Sequence, residues 1–552
     1  MGSKKISWWV IVSILLSLII GFFVGSIVSG KSLGRELFLA TGNKIDVILD
    51  IINEDYVDTV SVKSLTEEAI PKIISELDPH SSYIPKDELT SLNEDMDGHF
   101  AGVGIGYFHH EDTVVVISVT PGGPSEQAGI IPGDRIVTVD DKPFTGSSIS
   151  SDTIVSYLRG AIGSTVRLGI LRNPSDEIVS YEIVRGTIPI STVKVAYEVE
   201  EGIGLIKIYD KFSHTTYDEF VMAMAKLLGK GCESFIIDLR MNGGGAFEAA
   251  INIANEFLPR GSYIVYTEGK SFPREDAIAN GTGTCQKNQL VILMDQMSAS
   301  ASEVLAGAIQ DNDRGLIIGR RSFGKGLVQN HIELSDGSAI RLTVARYFSP
   351  SGRNIQRKYK LGKSDEYNKE WIDQLINGEG FHEDSIKIDK SHEYRTLNGR
   401  LVYGGGGIMP DIFVPMDTAN ITSYYMNLDN KAIFNRFAFN YSDKHRAKLN
   451  EFKDYQSMLD YLKTQPLLYD IVRFAEEQGV KRRSNLINIS ANNILNTTYA
   501  HIVSNFFGDE AFYPVFMSND AMIKKAVEVI QQGEAHPQAI AAMDYKRSST
   551  KE

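Results

Sequence analysis

The longest uninterrupted apolar run lies at the start of the chain. From Ile6 to Val28 there are 23 residues and no charge. At about 1.5 Å per residue such a run crosses the roughly 30 Å of a bilayer's hydrocarbon, so it predicts a transmembrane helix over 6–28. Lys4 and Lys5 precede it, which places residues 1–5 in the cytoplasm and everything after Gly30 outside. Trp8 and Trp9 suit the membrane interface. A cleaved signal peptide usually has a shorter apolar stretch, of about 7–15 residues.

Beyond the run the pattern changes three times. Residues 31–99 read as helical: LFLATGNKIDVILDIINEDYV places Leu39, Ile45, Ile48, Ile51 and Ile52 three or four apart, and SLTEEAIPKIISELD follows as a second helix. Residues 100–186 read as a β-rich domain, with strands in AGVGIGYF, TVVVISV, TVRLGILR and SYEIVRG and a helix in ISSDTIVSYLRG. From 187 to 415 short apolar strands (GIGLIKI, SFIIDLR, QLVILMD, GLIIGRR) alternate with helices (FEAAINIANEFL, ASASEVLAGAIQD), which predicts an α/β core. A polar insert over about 358–398 interrupts it. Residues 417–552 read as a helical C-terminal domain, with Phe452, Tyr455, Leu459 and Leu462 on one face, AMIKKAVEVI as a further helix and a polar tail after Glu534. These faces fit packing on the core, a homo-oligomer or a docked partner equally well.

Composition adds exclusions. The net charge of −14 over 552 residues argues against nucleic acid, which calls for a basic face. Cys232 and Cys285 are the only cysteines. They cannot form a zinc site alone, and they read as buried thiols, or as a disulfide if the compartment is oxidising.

Two segments carry candidate chemistry. In MSASASEVLAGAIQD a small-residue loop leads from a strand into a helix. A serine there has an outward hydroxyl beside unpaired helix N–H groups, which suit a developing oxyanion; serine is equally a common helix cap. Downstream, GRRSFGKGLVQ sets Lys325 between Gly324 and Gly326. The stretch looks like a phosphate-binding loop, but Gly326 stands where such a loop needs Ser or Thr. A desolvated lysine loses its proton more easily and can act as a general base. On a strand, Gln329 shares its face and can hold the amine.

Taken together, SASASEVLAGAIQD and FGKGLVQ resemble the active-site signature of the C-terminal processing (tail-specific) serine peptidases. LDPHSSYI (Leu77–Ile84), DLRMNGGG (Asp238–Gly245), ARYFSPSGRNIQ (Ala345–Gln356) and GGGGIMPDIFVP (Gly404–Pro415) resemble further motifs of that family, across roughly 70–415. One departure is Gly243, where the family usually has proline. The resemblance implies a crotonase-like α/β peptidase core and a Ser/Lys dyad. The family's spacing selects Ser300 over Ser298 and Ser302 as nucleophile, with Lys325 as base and Gln329 orienting it. The amides of Ala301 and Gly244 are the implied oxyanion donors, and neither a cofactor nor a metal is needed. For His80 we expect a structural role, its side chain bonding to backbone in a turn, and for His109–His110 a hairpin tip.

The β-rich domain resembles a PDZ domain. Its loop Gly102-Val103-Gly104-Ile105 is similar to the carboxylate-binding loop of such modules, whose successive N–H groups capture a chain terminus. The partners implied are polypeptides with apolar C-terminal tails, and Arg159 is a candidate link between docking and catalysis. The expected activity is an endopeptidase cutting extracytoplasmic proteins near their C-termini, anchored in a bacterial inner membrane with its catalytic part in the periplasm or outside. Two alternatives stand beside it: a non-catalytic PDZ adaptor on a peptidase-like core, and a crotonase-like enzyme acting on acyl thioesters. The apolar N-terminal run and the PDZ-like domain weigh against the second.

Overall fold

The computed structural model describes residues 8–9, 12–21, 24, 43–110, 112–146, 149–173, 175 and 177–535. The chain divides into two compact units, Met1–Leu77 and Asp78–Glu552.

In the first unit, helix Lys44–Asp55 starts where the Asn43 side chain accepts from the Ile45 amide, and helix Val62–Ser75 where Ser61 accepts from Ser64. The transmembrane helix expected over 6–28 needs correction. No helix among the described residues is long and apolar enough to cross a membrane. The described helical residues there are 8–9, 12–21 and 24. The rest of 6–28 lies outside the described residues, as do 1–5 and 31–42.

The second unit begins differently from the helical region expected up to residue 99. Ser82–Ile84 is a strand, because it pairs antiparallel with Ala339–Arg341; helix Lys86–Asp97 follows. The β-rich domain is an antiparallel sheet in the order Ile105–His110, Thr113–Val119, Arg135–Val139, Thr165–Leu171, Ile178–Val184, with Lys142–Pro143 paired to the third strand. Val103, Ile154 and Leu158 share its core, so helix Ser151–Leu158 covers the sheet beside the glycine loop.

The α/β core is a six-stranded sheet running Val193–Glu200, Ile203–Ile208, Ser234–Asp238, Gln289–Met294, Leu316–Gly319, Ile412–Phe413. The first pair is antiparallel and the rest are parallel. Side chains alternate between two covered faces, as a buried sheet demands. Ile206, Phe235, Ile237, Ile292 and Ile317 pack under helices Thr216–Gly229, Phe247–Phe257 and Ala301–Asp311. Leu205, Ile236, Val291, Leu293 and Ile318 pack under helix Ala521–Gln531. A separate sheet carries Leu327–Glu333 against Ala339–Phe348.

Within the stretch expected as a polar insert, helix Ser364–Ile376 buries Tyr367 against the Arg357 guanidinium, 4.0 Å from its ring. Helices from Ser423 to Phe516 share their own core. The stripe Phe452, Tyr455, Leu459, Leu462 faces into it, so those apolar faces are used internally. Helix Ile433–Lys444 also grips the β-rich domain. Asp443 accepts from Arg135 (2.9 Å) and Asn173 (3.0 Å), Arg446 donates to the Pro132 carbonyl (3.2 Å), and the Phe108 and Phe439 rings meet edge to face at 5.1 Å. Cys232 and Cys285 are buried free thiols.

Candidate active site

Strand Gln289–Met294 ends in a loop of small residues that turns into helix Ala301–Asp311. Three serines lie there, and their surroundings separate them. Ser298 is fully buried and donates to the Leu239 carbonyl (2.9 Å). Ser302 is fully buried and donates to Asn242 Oδ1 (2.9 Å). Ser300 is partly exposed, at the helix N-cap, with φ 54° and ψ −114°. A non-glycine residue held there stores strain of about 1–3 kcal/mol, and the arrangement presents its hydroxyl at the mouth of the helix.

The Lys325 loop packs directly beside it. Phe323 N–H donates to the Ser298 carbonyl (2.9 Å). The glycines flanking Lys325 are needed for close packing. A Cβ on Gly324, at φ 87°, would lie 2.6 Å from Arg357 Cγ, and one on Gly326 would lie 2.9 Å from the Gln356 amide. Lys325 Nζ donates to Gln329 Oε1 (2.8 Å), across a bulge at the start of the strand. Burial, then the charge of Arg341, push the Lys325 amine down from 10.5 to about 8; Glu303 and Asp78 oppose them. Ser300 and Lys325 are not hydrogen-bonded to one another in this arrangement, and such catalytic contacts commonly tighten only around substrate.

Three groups at the site gave no warning in the sequence. Glu303 is buried, and its carboxylate accepts from the Ser300 amide (2.8 Å), the Ser322 hydroxyl (2.5 Å) and the amides of Gly324 (2.7 Å) and Lys325 (2.9 Å). It ties the Ser300 loop to the Lys325 loop. Burial raises it to about 7 against those four bonds. In the sequence Ser300-x-x-Glu303 reads only as a capping box. The buried Tyr347 hydroxyl donates to the Lys325 carbonyl and lies 3.2 Å from that of Ser300. The third is the main-chain carbonyl of His80, which accepts from Gln329 Nε2 (2.5 Å).

The expected oxyanion donors differ. Ala301 N–H opens the helix, where amides have no intrahelical acceptor. Gly244 lies against Ser300: a Cβ there would sit 2.6 Å from Ser300 Cβ and 3.0 Å from Ala301 N. Its amide, however, already donates to Asn242 Oδ1 (2.9 Å), so it offers no free donor until that bond opens. His80 also departs from expectation. Its ring Nε2 lies 3.2 Å from the Tyr367 hydroxyl rather than on backbone, and burial, then Lys325, push the imidazole down to about 4.

In the β-rich domain, strand Ile105–His110 is an edge strand. Gly104 takes φ 77° and Val103 is buried. Arg159 Nη1 donates to Glu94 (2.5 Å) and its guanidinium lies 4.4 Å above the Phe100 ring. It thus reaches helix Lys86–Asp97 rather than a catalytic side chain.

Comparison with known proteins places these features in context. The profile of peptidase family S41 matches residues 202–363, that of the PDZ domain 101–183, and that of a family of unknown function 424–508. A "Probable CtpA-like serine protease" of Staphylococcus haemolyticus is 34% identical over 57% of this chain and 62% of its own length. A carboxy-terminal-processing protease of Bartonella bacilliformis is 35% identical over 56% of this chain and 71% of its own. The solved photosystem II D1 C-terminal processing protease is 26% identical, covering 69% of this chain and 93% of that one, with a TM-score of 0.33.

Proposed function

This chain belongs to peptidase family S41, among the carboxy-terminal-processing serine proteases, and we propose that it cuts polypeptides near their C-terminal tails with Ser300 as nucleophile and Lys325 as general base. One observation carries the assignment. Of Ser298, Ser300 and Ser302 only Ser300 is partly exposed, and its loop packs beside that of a half-buried, acidified lysine already held by Gln329. The neutral amine takes the Ser300 proton as Oγ attacks the scissile carbonyl. The ammonium then returns that proton to the leaving amine. Gln329 holds Nζ through both steps. The Ala301 amide faces the developing oxyanion, joined by Gly244 once its bond to Asn242 opens; such a donor is typically worth roughly 10²–10³ in rate.

The PDZ domain binds polypeptide, and we assign the substrate's terminal carboxylate to the amides of Gly102–Ile105. The tail adds as a strand to the free edge of Ile105–His110. Its apolar side chains lie beside helix Ser151–Leu158, and its source is a protein outside the cytoplasm.

The test uses the purified full chain beside Ser300→Ala and Lys325→Ala. Each is incubated with an unfolded protein ending in an apolar tail and with the same protein ending in a C-terminal amide, and fragments are read by mass spectrometry. Cleavage by the parent alone, slowed by the amide, supports the whole reading. Cleavage by all three removes Ser300 and Lys325 from the mechanism. Equal rates on both substrates remove the carboxylate capture.

A further inference from the structure

Gln329 can serve Lys325 only in one of its two amide orientations. With Oε1 toward Nζ it accepts from the amine. Rotated by half a turn it presents NH₂, which opposes the ammonium donor to donor and, against the neutral amine, occupies the lone pair needed for the Ser300 proton. The two orientations have nearly the same shape, so packing alone discriminates poorly between them. The His80 carbonyl discriminates. It is an acceptor 2.5 Å from Gln329 Nε2, and it forces Oε1 to the Lys325 side, where the bond is 2.8 Å.

That carbonyl is aimed by a turn organised around one buried carboxylate. Asp78 Oδ1 accepts from the amides of His80 (2.9 Å) and Ser81 (3.0 Å) and from the Thr343 hydroxyl (3.0 Å); Oδ2 accepts from the Ser81 hydroxyl (2.6 Å). The Ser81 hydroxyl in turn accepts from the Thr343 amide (3.0 Å). The turn is therefore fastened to strand Ala339–Phe348, the strand that pairs with the one carrying Gln329 through Gln329↔Thr343. Beyond it, Ser82–Ile84 adds to the same strand and fixes the register. Asp78 and Ser81 are 6% and 9% exposed, so these bonds are little diluted by water. The His80 ring, set against Tyr367, keeps the residue from turning its carbonyl away.

We infer that the Asp78–Ser81 turn is a positioning element of the catalytic base, setting the orientation of the Gln329 amide and, through it, the direction of the Lys325 lone pair toward Ser300. The inference rests on the peptidase reading above. It gives the segment LDPHSSYI a mechanical role in which the working group is the His80 main-chain carbonyl, aimed by the Asp78 side chain.

The experiment is a double-mutant cycle. The full-length enzyme and its Asp78→Asn, Asp78→Ala and Gln329→Ala variants, with both combinations, are assayed on a soluble peptide for kcat and KM, and each is melted. Lys325→Ala serves as control. Asp78→Asn keeps the Oδ1 acceptor and loses only the bond from Ser81; Asp78→Ala loses all four. The expected result is a kcat lowered by about 10–100-fold for Asp78→Ala and by less for Asp78→Asn, with KM within about threefold. In the Gln329→Ala background either change adds less than about threefold. A full, multiplicative loss in that background overturns the inference, since the turn then acts independently of Gln329. So does a change in KM alone, or unchanged kinetics. If Asp78→Ala shows no cooperative melting, Asp78→Asn is judged by the same comparison. A fully active Lys325→Ala overturns the dyad itself, and a dead Lys325→Ala beside a silent Asp78 pair overturns only the turn.

Discussion

The depressed lysine sets a pH dependence that can be worked through. Lys325 acts as a base only when neutral. An amine titrating at about 8 is neutral in roughly 9% of molecules at pH 7 and roughly 90% at pH 9, so kcat/KM rises about tenfold across that interval. At the ordinary value of 10.5 the neutral share at pH 7 would be roughly 0.03%, so burial and Arg341 together supply about 300-fold more active base. Arg341 offers a way to move the limb. Its guanidinium, bonded to His331 at 2.9 Å, is the second cause of the depression. Arg341→Met should therefore raise the lysine, shift the rising limb to higher pH and slow the enzyme at pH 7, while leaving the plateau at high pH in place. Glu303 titrates nearby, at about 7, so the shift between parent and variant identifies the group better than the midpoint alone. Initial rates on an uncharged-tail peptide from pH 6 to 10, well below KM, give the profile. A flat profile, or a limb that Arg341→Met leaves in place, would refute the assignment of Lys325 as the titrating base.

Three further outcomes follow from the same geometry. Lys325→Met should be inactive yet more stable. A lysine whose amine is lower in the folded state destabilises the fold wherever it is protonated in the unfolded chain, so the gain is about 3 kcal/mol at pH 7, is largest below the folded value and fades as pH rises toward 10.5; melting curves at pH 6 and 10 decide it. Ser300→Ala should lose activity with little change in stability, whereas Ser300→Gly should lose activity and gain about 1 kcal/mol by relieving the φ of 54°; equal melting temperatures would show that the strain is not there. Gly244→Ala should cut kcat about 100-fold or more, because its Cβ would sit 2.6 Å from Ser300 Cβ, and peptide assays beside circular dichroism would separate this from misfolding.

Much of the fold was legible because burial imprints itself on sequence. The runs LIKI, FIID and LVILM are apolar on both sides because helices cover both faces of the sheet. Lys325 was legible because glycines crowd it; Gln329 was reached by strand periodicity, although the strand starts only at Leu327 and a bulge falls between Val328 and Gln329. What was not legible has physical reasons. Apolar length alone predicted a span over 6–28 that the described helix does not support. Ser82–Ile84 is too short for periodicity and becomes a strand only by pairing with residues more than 250 positions away. Glu303 looks like an ordinary helix cap until its second oxygen is seen reaching Ser322 and Gly324. The His80 carbonyl is main chain, which any residue would carry, so no side-chain pattern could announce it. That the Gly244 amide is engaged by Asn242 Oδ1 could not be read either, because the acceptor lies in the same turn and only the folded geometry brings them together.

Helix Ala521–Gln531 has a bearing on how the protein is made. Ser300 and Lys325 leave the ribosome long before Met522, Ile523, Ala526 and Ile530, which cover the opposite face of the sheet that leads into the nucleophile's loop. Asp520, at the start of that helix, also completes the ion pairing of the buried Arg240, 2.6 Å away, in the segment that leads to Gly244. Any chain that stops short of Met522 therefore lacks the apolar layer beneath the strand that ends in the Ser300 loop.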